Sequence, residues 1–345
     1  MTGHSLVLAI WLLDGTAGAI YLAAAGRLLS ILPHWRPEKS DADQLARERS
    51  LALVIFQGRW VFGLQVAALA ALVVGISNGW VVHVPGAMCG TGVLQALGPA
   101  GRQTLLLRLL TLLLLYGWQV VVAMDDQQPE TPLACTHGRL LLLAAPLLLL
   151  STWRFGQAMG AVLVQGPVSC CAVLYALAVS ADRGSLVAMI APGTWAAACF
   201  GGALLEGAWG VFQWRRPGRG GPLAAGVAGG ATLLWVGAAI MAVKTTTAPY
   251  LLEVLFHPCP WCLFLWEQGG AGFALFGLLA FIAAESAAIL TAAVVARRHP
   301  PVAAPALARM GRSGGRLGLA VLLFVLLAAA PILLWRLRFG GWITL

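Results

Sequence analysis

Apolar residues run through this chain in long unbroken blocks, not in the alternation of a strand or the one-sided stripe of a surface helix. The blocks cover residues 4–32, 50–76, 102–124, 138–165, 186–213, 222–244, 270–296 and 317–335. Each is close to or longer than the roughly 20 residues that an α-helix needs to cross a bilayer. A helix satisfies its own backbone in hydrocarbon, where a loop or an open strand does not. The pattern therefore predicts an all-α fold: a polytopic transmembrane helical bundle of about eight spans, forming one integral membrane domain over residues 1–345. Several blocks are longer than a crossing requires, which predicts tilt or helix extending beyond the bilayer.

Within the blocks a few residues punctuate the pattern. Arg154 interrupts the fourth, and Gly166-Pro167 reads as a break after it, so 138–180 is expected to cross once. In the sixth, Gly226-x-x-x-Gly230 forms a small-residue face suited to close helix packing. The first block has no basic segment before it and outruns the apolar core of a secretory signal, so it is expected to remain as a span. Neither end shows a lipidation box.

Composition agrees with a membrane protein: 60% of residues are hydrophobic and 10% charged. The net charge of +9 would point to nucleic acid in a soluble protein, but here the basic residues gather in short loops. Residues 33–49 carry Arg36, Lys39, Arg47 and Arg49; 214–221 carry Arg215, Arg216 and Arg219; 297–316 carry Arg297, Arg298, Arg309, Arg312 and Arg316. With Arg139, one side collects thirteen basic residues against three on the other, Arg183, Arg336 and Arg338. The richer side is expected to be cytoplasmic, of a bacterial-type inner membrane, with both termini extracytoplasmic. The acidic 125–137 loop falls on the cytoplasmic side, and acidic residues weigh little in this rule. Most of the fourteen tryptophans lie near span ends, as an interfacial belt would place them.

This orientation turns Cys89, Cys170, Cys171, Cys259 and Cys262 outward, where disulfides form and persist, and leaves Cys135 in a cytoplasmic loop and Cys199 inside the fifth span. The densest chemistry lies in His257-Pro258-Cys259-Pro260-Trp261-Cys262. Pro260 suits a first helical turn, which would set the Cys259 sulfur at a helix N-terminus where a thiolate is favoured. Adjacent Cys170 and Cys171 have Cα atoms about 3.8 Å apart, too close for a relaxed disulfide with each other. Three chemistries fit the outward cysteines. They are structural staples, a thiol–disulfide relay, or a metal site in which cysteines hold zinc, or His83, Met88, Cys89, His257, Cys259 and Cys262 hold copper.

Cys259-Pro260-Trp261-Cys262, preceded by Pro258, resembles the redox centre of the disulfide-forming DsbB and vitamin K epoxide reductase families. The resemblance covers about ten residues and implies a helical membrane enzyme passing electrons from thiols to a quinone. Trp266-Glu267-Gln268 stands where DsbB-type proteins carry a basic residue.

Asp14, Arg27, Arg59, Arg108, Arg154, Glu206 and Glu285 fall in or near the spans and are expected to pair or to line a polar cavity, with Arg59 the partner of Asp14 or Glu285. The six histidines fall near span ends or in loops, which argues against a transmembrane b-type haem, and no C-x-x-C-H is present for c-type attachment. Phosphate-loop, zinc-protease and nucleophile-elbow motifs are likewise missing, as are basic patches interleaved with aromatics for nucleic acid. Two functions stand ahead of a third, a pure membrane scaffold. One is membrane thiol–disulfide redox chemistry, with Cys259 as exposed nucleophile, Cys262 resolving, and Cys89, Cys170 and Cys171 shuttling electrons. The other is a transport or assembly subunit working with other membrane or periplasmic proteins.

Overall fold

The computed structural model of the chain describes residues 4–36, 41–128, 130–162, 167–168, 190–217, 219–254 and 259–342. Among these, ten α-helices occur and no strand. Eight are long and apolar enough to cross a bilayer. They are α1 (Ser5–Ile31), α2 (Ala42–Val74), α4 (Gly98–Asp125), α5 (Ala134–Val162), α6 (Pro192–Arg215), α7 (Gly221–Ala242), α9 (Ala271–Arg298) and α10 (Ala303–Phe339). Two short helices, α3 (Gly90–Ala96) and α8 (Ala248–Leu252), lie in connections. Leucines such as Leu12, Leu234 and Leu337 are more than two-thirds exposed, an apolar surface that lipid covers. The chain is a multi-pass helical membrane protein.

Each apolar block has its helix, but two helices begin well before the blocks do. α2 starts at Ala42 because Asp41 caps it, its carboxylate accepting the Gln44 N–H at 2.7 Å. α10 starts at Ala303, so Arg309, Arg312 and Arg316, expected in a loop, stand on a helix. Hydropathy marks where the bilayer is, whereas arginine is a good helix former and does not end a helix. The connection between α9 and α10 shrinks to a turn at Pro300–Val302. The question of one crossing or two in 138–180 falls partly on residues outside those described; α5 ends at Val162.

Packing divides the chain into two compact units. The first takes residues up to Gly75, 96–165 and 291–309. Its core is the interior of α1, α2, α4 and α5, with Tyr21, Leu28, Val61, Leu115, Trp118 and Leu141 all buried. Gly58 lies directly under the Trp118 ring, where a Cβ would collide with it. Pro146 inside α5 denies the Leu142 carbonyl its helical partner. The Tyr21 hydroxyl supplies a replacement, reaching the Leu141 and Leu142 carbonyls at 2.9 and 3.1 Å.

Asp14, Gln65 and Arg108 meet deep in this unit. Arg108 donates to both Asp14 oxygens at 2.9 and 2.5 Å, Gln65 bonds both partners, and the two charged side chains are wholly buried. The expected pairing of Arg59 with Asp14 or Glu285 is thus corrected. Arg59 is half-exposed and faces Asp126 at 3.7 Å, while Asp14 takes Arg108 and Glu285 takes Arg316 at 3.3 Å. The polar 125–137 connection is organised by Asp125, which accepts the Leu133 N–H and lies 3.4 Å from His137.

The second unit takes residues 76–95, 166–290 and 310–345. Here α6 crosses α10 at glycines: a Cβ on Gly210 would sit 2.7 Å from the Gly314 carbonyl and 2.9 Å from the Gly318 Cα. α7 meets α9 at Gly229, whose carbonyl accepts the Ser286 hydroxyl. The close approach uses Gly229 and not the predicted Gly230, where an added Cβ would meet no neighbouring element within 4 Å. Glu206 is buried and accepts the Thr232 hydroxyl at 2.7 Å. Cys199 is buried, its carbonyl accepting the Trp235 indole N–H at 2.9 Å.

Candidate functional site

Three cysteine sulfurs converge in the second unit, from segments 170 residues apart. The Sγ atoms of Cys89, Cys259 and Cys262 lie within 4.8 Å of one another, and Cys89 and Cys259 are 3.5 Å apart. None of the three is in a disulfide and all are buried.

The first segment follows α2. Its last turn widens into a π-turn at Gly75–Gly79, and a 3₁₀ turn at Val81–His83 leads to Pro85-Gly86. Gly86 adopts φ +81°, which glycine accepts without strain, and the Val168 N–H donates to the Pro85 carbonyl at 2.9 Å. Cys89 then opens α3, its carbonyl taking the Gly92 and Val93 N–H groups.

The second segment is a single 3₁₀ turn, Pro260–Phe264, with Cys259 just before it. Side chains three apart eclipse in such a turn, which stacks Cys262 over Cys259. Pro260 opens this turn and Cys259 is its N-cap, as expected, but the turn is short and 3₁₀; the spanning helix begins at Ala271, next to the expected 270, after a second 3₁₀ turn at Trp266–Gln268. With one turn behind it, the macrodipole at Cys259 is small.

Asn78 holds the two segments in register. Its Nδ2 donates to the Phe264 carbonyl at 3.0 Å, and its Oδ1 accepts the Trp266 N–H at 3.2 Å. Phe264 packs among Trp261, Phe273 and Phe276 with ring centroids 5.0–5.3 Å apart. Gly90 leaves room for Trp261; a Cβ there would stand 2.8 Å from the indole. Leu252, Trp261 and Leu265 wrap the sulfurs in apolar surface.

The Cys259 sulfur is the centre of the group. Hydrogen bonds from Cys262, Cys89 and the Thr91 hydroxyl, the last at 3.2 Å, push its pKa down to about 3 against the effect of burial. Cys262 is shifted upward, because it keeps its proton to donate to Cys259, with Cys89 and burial acting in the same direction. The cluster thus favours ionisation at Cys259, through its neighbours' protons and not through a helix terminus.

Exposure reverses the expected roles of the C-x-x-C pair. Cys259, expected as the exposed nucleophile, is 0% exposed, whereas Cys262 at 9% is the most accessible of the three. His83 is exposed and Met88 is 69% exposed, and His83 is not part of the sulfur group. Cys170, Cys171 and His257 lie outside the described residues. Cys135 is half-buried and belongs to the first unit.

Thr91, Asn78 and Gly90 were given no role by the sequence, and Trp261 was read only as part of the C-x-x-C motif. Asn78 had a readable signal, a lone amide at the end of an apolar block, while Thr91 had only its place between two glycines. Among the implied groups, three thiols fit a soft metal ion by donor type. For a hydrophobic electron carrier, the same unit offers a cavity of about 790 Å³ lined by Tyr250, Leu275, Pro331, Trp335 and Phe339. Its wall includes Leu251 and Glu253, which flank the Leu252 that packs on the sulfurs. Comparison with protein-family models, curated proteins and solved structures finds no match.

Proposed function

We propose that this multi-pass membrane protein performs thiol–disulfide exchange at the Cys89/Cys259/Cys262 cluster. The observation that carries the reading is the convergence of three thiols, the central one within reach of both others. A disulfide has only one partner per sulfur, so a third thiol beside it makes exchange possible without any large movement. In the oxidised form Cys259 and Cys262 share a disulfide. An external dithiol attacks the more accessible Cys262, forms a mixed disulfide and leaves as a disulfide, giving up two electrons and two protons that reappear as the two thiols. Internally, the Cys89 thiol attacks Cys259, so that the bond moves from Cys259–Cys262 to Cys89–Cys259 and Cys262 becomes a thiol.

A quinone, which the resemblance implies, would take the two electrons and two protons onward when bound. The 790 Å³ cavity sharing the 251–253 wall, mostly apolar but with Glu253 and Arg338 in its lining, is the place that suits its ring. The arginine distribution supports an outward-facing cluster in a bacterial-type inner membrane, where periplasmic thiol proteins would be its partners.

Mass-spectrometric mapping of thiol states in native membranes tests the reading. The expected result is a fraction of chains with Cys259 joined to Cys262 or to Cys89, and a trapped mixed disulfide on Cys262 in the Cys259→Ser variant. Thiols that stay fully reduced through mild oxidation, with no mixed disulfide in any variant, would overturn it.

A further inference from the structure

We propose that Cys89, Cys259 and Cys262 together form a three-sulfur binding site for monovalent copper. The inference stands on the geometry of the three thiols and goes beyond the exchange reaction, which uses two sulfurs at a time. Three donors at about 2.3 Å around one ion in a plane stand about 4.0 Å from each other. Sulfurs lying 3.5 Å apart for one pair and within 4.8 Å for all are already near that arrangement.

Ligand type and number then select the ion. Thiolates are soft donors, favoured by Cu(I), Zn(II) and iron–sulfur clusters. Structural zinc takes four ligands. Among the described residues no histidine or carboxylate joins the three sulfurs, and these three make a three-coordinate set. Monovalent copper, a soft ion with a filled shell and no demand for a fourth ligand, matches it.

The surroundings have the features of a binding site. Leu252, Trp261 and Leu265 cover the sulfurs and keep bulk water out. The Thr91 hydroxyl, 3.2 Å from the Cys259 sulfur, supplies a hydrogen bond to a ligating thiolate from outside the coordination shell. Asn78 fixes the turn that carries two of the three ligands. Binding displaces thiol protons and leaves the copper oxidation state unchanged. A disulfide removes two of the three donors, so copper loading and oxidation exclude one another, and copper holds the cluster reduced.

Anaerobic titration of the reduced full-length protein in detergent with Cu(I), buffered by a competing chromophoric chelator, tests the proposal. One copper per chain is expected, with X-ray absorption showing three sulfur neighbours. Cys89→Ser should abolish stoichiometric binding, Thr91→Val should weaken it about 10–100-fold, and Cys135→Ser should leave it unchanged. Protein oxidised to the disulfide should take up none. No competitive uptake, unchanged uptake in Cys89→Ser, or preferential binding of Zn(II) added alone would overturn the copper site. Because disulfide mapping is a separate readout, the exchange reading can fail while copper binding holds, and the reverse.

Discussion

Replacing Arg108 with methionine removes a guanidinium from the interior of the first unit and leaves Asp14 facing Gln65 alone. Asp14 lies nine residues into α1, Gln65 nine before the end of α2, and Arg108 ten into α4. At 1.5 Å per residue all three sit about 14 Å from the same end of the bundle, near the middle of a hydrocarbon core roughly 30 Å thick. Both charged side chains are wholly buried and doubly hydrogen-bonded to each other. A charge at that depth costs about 2.5–3.5 kcal/mol on insertion scales. Removing one partner of a buried pair costs about 3–5 kcal/mol, whereas replacing both with apolar residues is often neutral or stabilising. Arg108→Met and Asp14→Leu are therefore each expected to lose about 3–5 kcal/mol, and the double variant to return close to the parent. Reversible unfolding in mixed detergent micelles, followed by tryptophan fluorescence, measures the cycle. Two additive losses, or a single loss below about 1 kcal/mol, would refute the view that these groups depend on each other for burial.

The helix crossings and the cysteine loop give further tests. Gly210→Val should destabilise the second unit by about 1–3 kcal/mol through overpacking against the Gly314 and Gly318 backbone, seen as a lower Tm, while Gly230→Val, facing open space, should not. Asn78→Ala should cost about 1–3 kcal/mol by leaving the Phe264 carbonyl and the Trp266 N–H without their bonds, and should slow disulfide formation at Cys259 under mild oxidation. Thiolate absorbance in the near ultraviolet should show one ionised cysteine per chain from neutral pH down to about pH 5, since the Cys259 pKa of about 3 keeps it ionised there while an ordinary thiol, near 8.5, is protonated. That signal should vanish in Cys259→Ser and survive in Cys135→Ser.

The class of protein and the number of long helices were legible in the amino-acid order alone. Bilayer thickness imposes a length on every apolar block, and that constraint is local and needs no partner. The amino-acid order also singled out Cys259 and Cys262, because three residues of separation is a local fact. Their roles were decided elsewhere. A single 3₁₀ turn, fixed by Asn78 from another segment, buries Cys259 and leaves Cys262 nearer the surface. Cys89 was one outward cysteine among five until chain folding carried it across 170 residues to within 3.5 Å of Cys259. Ion pairing followed the same division: charge and depth were legible for Asp14, but only helix packing chose Arg108 over Arg59. Hydropathy is a sum along the chain, whereas a ligand set, a salt bridge or a buried thiolate depends on distances between residues remote in sequence, and those exist only after the helices have packed.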